Sequence, residues 1–150
     1  MMMKSLQIKT VEYQDKIAAI KHIRTKVFQL EQGVSAELEF DGLDDGAVHL
    51  LAYLDDRAVG TARIRNIDAV TAKIERLAVL PEARKQGIGK NLMESAMKTI
   101  YFQNKSQVIV HAQEYIARLY QQLGFEIIGE RFSEAGIAHV KMIAQLSQTN

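Results

Sequence analysis

The 150-residue chain is predicted to fold as a mixed α/β (α+β) domain, one mostly antiparallel sheet with helices on its faces. Two observations carry this. The first half places short apolar runs on either side of tight polar turns, the pattern of hairpin strands. The second half alternates such runs with stretches whose apolar residues recur at helical spacing, the pattern of strand–helix–strand units. A third observation limits the choice: no strand–GxGxxG–helix occurs near the start, with an acid about 20 residues beyond, so the dinucleotide-binding pattern does not apply. The predicted order is β-α-(α)-β-β-β-α-β-α-β-β.

In chain order, LQIKTVEY alternates weakly and reads as a strand. Asp15 is expected to cap the next helix, whose apolar face is Ile17, Ile20, Ile23, Val27 and Phe28. The acid- and glycine-rich EQGVSAELEFDGLDDGA reads as a loop with room for one short helix. VHLLAYL and AVGTARIRNI are strand-like around the turn DDR, and AKIERLAVL is a further strand stopped by Pro81. A helix is predicted from about Gly87 to Phe102, with Ile88, Leu92, Ala96 and Ile100 in line and Met93 and Met97 widening the face. QVIVHA is so apolar that it reads as a strand covered on both faces. Ile116, Leu119, Tyr120 and Leu123 mark a short helix, with Gly124 placed to end it. FEIIGERF and AHVKMIAQL close the chain as strands around the turn SEAG.

Composition excludes several classes. There is no cysteine, hence no disulfide, thiolate nucleophile or cysteine-based zinc site. Nineteen basic residues against eighteen acidic give a net charge of +1, without the basic excess of a nucleic-acid binder. The histidines at 22, 49, 111 and 139 lack the spacing of a metal motif, so no metal is expected. No window approaches the roughly 20 apolar residues of a membrane span, and MMMKSLQIKT has no signal-peptide core. The expectation is one domain over 1–150 in the cytoplasm, bound to neither nucleic acid nor membrane.

VLPEARKQGIGKNLM, residues 79–93, holds the chain's only proline, two glycines one residue apart and three basic side chains. It sits between a strand and a helix. The first helical amides have no intrahelical partner, and the macrodipole adds positive charge there, which together favour an anion. Gly87 and Gly89 would let a bulky ligand reach the backbone, with Arg84, Lys85 and Lys90 around it. A pyrophosphate cradle and an ordinary basic loop both fit these residues. The P-loop pattern G-x-x-x-x-G-K-[ST] does not occur.

The same stretch resembles the signature of the GNAT superfamily of N-acetyltransferases, Q/R-x-x-G-x-G/A, at Arg84-Lys85-Gln86-Gly87-Ile88-Gly89. Downstream, ARLYQQLGF resembles the family's second motif at Ala117, Tyr120, Gly124 and Phe125. RTKVFQLEQG, HAQ at 111–113 and FSEAGIAHVKM are similar to the ElaA-like branch. The resemblance covers nearly the whole chain. It implies a GNAT-like fold with a splayed pair of parallel strands, AKIERLAV and QVIVHA, and acetyl-CoA as co-substrate.

By the same resemblance, the backbone of Leu77, Ala78 and Val79 pairs with the pantetheine amides. The backbone of Gln86, Gly87, Ile88, Gly89 and Lys90 holds the pyrophosphate, beside Arg84 and Lys85, and Gln113 hydrogen-bonds the cofactor. Tyr120 is the implied acid for the leaving thiolate, although as a bare residue it is also core packing. Glu75 is the candidate base, expected on one strand face with Leu77 and Val79; the alternative is an ion pair with Arg63 or Arg65. His111 is expected at the acceptor, or as a structural histidine. Glu31, with Glu37, Glu39, Asp41, Asp44 and Asp45, falls where an acceptor wall would attract a cationic amine, or forms a solvated loop. The implied acceptor is a small-molecule or peptide amine, and a homodimer is left open. A CoA-binding module without catalysis, a protein N-acetyltransferase and a phosphate binder of another fold are the alternatives.

Overall fold

The computed structural model describes residues 5–146 of the chain. Its strands are β1 (Leu6–Val11), β2 (Val48–Leu54), β3 (Arg57–Asn66), β4 (Thr71–Val79), β5 (Gln107–Gln113), β6 (Glu126–Glu134) and β7 (Ile137–Gln145). They form one sheet in the order β1-β2-β3-β4-β5-β7-β6. Every neighbouring pair is antiparallel except β4 with β5. The helices are α1 (Ile17–Arg24), α2 (Ala36–Glu39), α3 (Ile88–Phe102) and α4 (Ala117–Gln122).

One helix start departs from the sequence reading. Asp15 does not cap α1; it lies in the 3-10 turn Tyr13–Asp15, and the cap position is Lys16, without a side-chain bond. The C-terminal end of α1 continues as a π-helical segment, Thr25–Glu31. It carries bonds from Gln32 N–H to Val27 O and from Gly33 N–H to Gln29 O. By contrast, α2 is well capped: the Ser35 hydroxyl accepts from the Leu38 amide.

α1 and α3 take opposite faces of the sheet. Gly60 of β3 looks at α3, where a Cβ would stand 3.0 Å from Leu92 Cδ1 and 3.3 Å from Ile88 Cγ2, so the close approach of α3 requires glycine. Arg63, three residues on, points to the α1 face, because side chains alternate along a strand. The core of α3 is Ile88, Leu92, Met93, Ala96 and Ile100, the predicted stripe. Gly124, at φ 96°, ends α4 in the left-handed conformation expected of it.

β5 is packed on one face only. Val108, Val110 and Ala112 are buried, whereas Gln107, Ile109, His111 and Gln113 are half-buried. Its apolar sequence implied cover on both faces; the second face looks into a cleft. The β6–β7 turn is shorter than SEAG, since β6 runs to Glu134 and only Ala135 and Gly136 turn, both at positive φ.

Candidate active site

The cleft follows from how little β4 and β5 share. Their pairing is Thr71 with Gln107, Ala72 with Val108 and Lys73 with Ile109, and then it stops. Beyond Lys73 the strands diverge, and β4 has no ladder on the side facing β5. Between them opens a cavity of about 680 Å³, within the range of small-molecule sites. It is lined by Glu75, Leu77, Ala78, Val79, Arg84, Lys85, Gly87, Ile88, Gly89, Lys90, His111, Gln113 and Tyr120. Thus nearly all the residues proposed from sequence meet in one space. Gln86, Glu31, Glu37, Asp44 and Asp45 fall outside its lining: Gln86 turns its amide back onto Ala83 O, and Glu31 grips Arg84.

At one end of the cleft is the start of α3. Gly87 sits at φ 77° and Lys85 at φ 64°, so the loop is coiled through left-handed residues. The first backbone bond of α3 runs from Asn91 N–H to Gly87 O at 3.0 Å, which leaves the amides of Ile88, Gly89 and Lys90 without helical partners. A Cβ on Gly89 would meet only Val79 Cγ2, at 3.9 Å, so this glycine leaves open space that the fold does not need. Two side-chain bridges tie Glu31 and Gln32, at the end of the π-helical segment, to residues that line the cleft. Arg84 donates to both oxygens of Glu31 and to Val79 O, and Gln113 Nε2 donates to Gln32 Oε1 at 3.0 Å.

Tyr120 is 5 % exposed, with its ring edge-on to Phe125. Burial pushes its phenol up to about 12, helped by Tyr115. Glu75 makes the ion pair rather than standing free. It meets Arg63 at 2.7 Å and Lys73 at 3.3 Å, and Arg65 bonds it as well. Burial raises its carboxyl, but the Arg65 hydrogen bond and the Arg63 and Lys73 charges outweigh that and hold it at about 2. It does not share a face with Val79. Thr61 pairs with Ala78 and Arg63 with Glu75, so β4 carries one extra residue, with Arg76 at φ 55°. This bulge puts Glu75 on the face of Ala78 and leaves Val79, opposite Gly60, on the other.

The sequence profile of the acetyltransferase (GNAT) domain matches residues 9–146. This chain belongs to the GNAT acetyltransferases. It is 34 % identical over 146 residues to YyaT of Bacillus subtilis, covering 95 % of this chain and 98 % of that one. Escherichia coli ElaA is 28 % identical over 137 residues, covering 89 % of this chain and 90 % of that one. Its crystal structure superposes with a TM-score of 0.81 at 26 % identity, over 93 % of this chain and 99 % of ElaA. A GNAT acetyltransferase from Elizabethkingia anophelis, solved with acetyl-CoA bound, shares the fold at a TM-score of 0.70 and 18 % identity, over 94 % of this chain and 98 % of that one. The chain is therefore an acetyl-CoA-dependent N-acetyltransferase of a family that acts on amines.

Three of the acids that the sequence reading offered as an acceptor wall are ion-paired instead. Glu39, Asp41 and Asp44 are spent inside the protein: Glu39 and Asp44 on Arg24, Asp41 and Asp44 on Arg63, and Asp41 again on Arg76. Arg24, Glu39 and Arg63 are buried. These acids cannot meet a cationic amine without abandoning arginines. The sequence reading missed Glu134 and His139. Glu134 Oε1 lies 3.1 Å from His111 Nδ1, and Oε2 lies 3.6 Å from His139 Nε2. Phe132 packs against both imidazoles. The signal was available in FSEAGIAHV, where a two-residue hairpin turn brings the acid beside the histidine.

Proposed function

We propose that the enzyme moves the acetyl group directly to a primary amine held beside the thioester, with no acetyl-enzyme intermediate. The observation that carries this is the opened β4–β5 seam, which leads from the free amides of α3 to Tyr120. Acetyl-CoA, present in the E. anophelis neighbour, would place its pyrophosphate on the 86–90 amides beside Arg84 and Lys85. Its pantetheine would pair with the backbone of Leu77, Ala78 and Val79, in the manner of an added strand. Gln113 would exchange its bond to Gln32 for one to the cofactor.

In the chemical step the amine nitrogen attacks the acetyl carbonyl, the carbon–sulfur bond breaks and the thiolate leaves. Tyr120 would donate a hydrogen bond to that sulfur. With its phenol at about 12, complete proton transfer to a thiolate of ordinary pKa, about 8.5, is uphill. Its contribution is therefore stabilisation of the departing charge.

The amine must also lose a proton. Glu75, at about 2, has little drive to take one. His111 suits the step better. Lys73 and Ile109 are paired, so Glu75 and His111, two residues on in each strand, share the acceptor face. Glu134 accepts a hydrogen bond from His111 Nδ1–H, which leaves Nε2 as the base, the arrangement of a histidine–carboxylate dyad. The proton that the amine loses to His111 passes by way of solvent to the CoA sulfur, so the products are an N-acetyl amide and CoA thiol.

The test is thiol release from acetyl-CoA across amines, polyamines and peptides, beside calorimetric CoA binding. Turnover lost in Tyr120→Phe supports the reading. CoA binding without turnover on any amine favours a catalytically silent CoA module.

A further inference from the structure

The ion-pair network on the acceptor face is one anion short. Five cations belong to it, Arg24, Arg63, Arg65, Lys73 and Arg76, against four carboxylates, Glu39, Asp41, Asp44 and Glu75. The deficit falls at one end. Asp41 and Asp44 serve the buried Arg63 and its neighbours, while Glu75 alone serves both Arg65 and Lys73 and also touches Arg63. Arg65 and Lys73 line the cleft, with side chains 26 % and 13 % exposed. They are cross-strand partners on β3 and β4, so their side chains stand on the same face. The arginine uses Nε and one terminal nitrogen on Glu75, which leaves its other terminal nitrogen free of partners among the described residues. Across the cleft the charged groups are His111, Glu134 and His139, and Glu134 is engaged by the two imidazoles.

Resting on the amine-acetylation reading above, we propose that the acceptor carries a carboxylate as well as its amine, and that Arg65 and Lys73 hold that carboxylate. The acceptor class is thus amino acids and their relatives, not polyamines. An incoming carboxylate supplies the missing negative charge to two partly desolvated cations, and the guanidinium fork orients it. A polyamine would meet the same two cations as like charges.

The experiment compares kcat/KM for amino acids with that for their carboxamides and for spermidine, at fixed acetyl-CoA. The carboxylate should be preferred by roughly 10- to 100-fold, the range of one charge-assisted hydrogen bond. In Arg65→Gln and Lys73→Met that ratio should fall toward one, with calorimetric CoA affinity retained as the control for folding. Preference for the carboxamide or spermidine overturns the inference while leaving the transferase reading intact, as does a ratio unmoved in both variants. Calorimetric titration of the CoA complex with N-acetyl amino acids and N-acetyl carboxamides makes the same comparison without turnover; equal binding of the two also overturns it. Absence of acetyl-CoA binding would instead sink the transferase reading.

Discussion

Gly89→Ala separates ligand binding from folding, because its two effects have opposite signs. Gly89 lies in the first turn of α3 and is not held at positive φ, and a Cβ there makes one ordinary contact, with Val79 at 3.9 Å. Alanine therefore fits without strain and reduces the freedom of the unfolded chain, a gain of about 0.4–1 kcal/mol. For a domain of this size that raises Tm by roughly 1–4 °C. The same methyl occupies the space through which a phosphate would reach the free amides of Ile88, Gly89 and Lys90. Loss of one charge-assisted hydrogen bond, about 1.5–3 kcal/mol, weakens CoA binding roughly 10- to 150-fold. Scanning calorimetry gives the first number and titration calorimetry the second. A variant that is more stable yet binds CoA as tightly as the parent would refute the phosphate cradle. A lower Tm would refute the geometry assigned to the turn.

Tyr120→Phe removes one hydroxyl and should lower the transfer rate by about 100-fold or more, with CoA affinity nearly unchanged; a rate within a few-fold in a thiol-release assay would exclude Tyr120 from the leaving-group step. Glu31→Gln frees Arg84 from a carboxylate that competes with the pyrophosphate, so CoA should bind a few-fold tighter. Stability should move by no more than about 1 kcal/mol for this half-exposed pair, and weaker CoA binding would contradict the competition. Arg63→Met leaves Asp41, Asp44 and Glu75 without their buried partner and should cost about 3–5 kcal/mol in urea unfolding. The Glu75 carboxyl is depressed from 4.5 to about 2, so its stabilisation is complete above 4.5 and disappears as the pH falls through 2. Urea midpoints should decline across that window, less steeply in Glu75→Gln; equal slopes would remove Glu75 from the acid response.

Much of this site was legible because its signals are local. The glycine turn, the strand before it and the stripe of α3 lie within one continuous stretch, and periodicity and turn chemistry report such stretches directly. What escaped is long-range or a matter of register. Arg24 meets Glu39 and Asp44 fifteen and twenty residues away, and Arg63 meets Asp41 from the opposite direction. Nothing in an acidic loop announces which arginines will claim it. The extra residue at Arg76 is equally silent in AKIERLAVL, yet it separates the faces of Glu75 and Val79. His111 was found by its place at the end of β5, whereas Glu134 depends on how β6 and β7 pair.

Three residue pairs join β4 to β5. They are all that stitches β1–β4 to β5–β7–β6 along the sheet, whereas other neighbouring strands are bonded over most of their length. The sheet is thus divided by a narrow seam, and backbone amides flanking that seam should open to solvent more readily than the sheet on either side. On the proposed reading, a donor whose pantetheine pairs with Leu77, Ala78 and Val79 would supply rungs that the seam lacks. The substrate would then also be a brace across that seam.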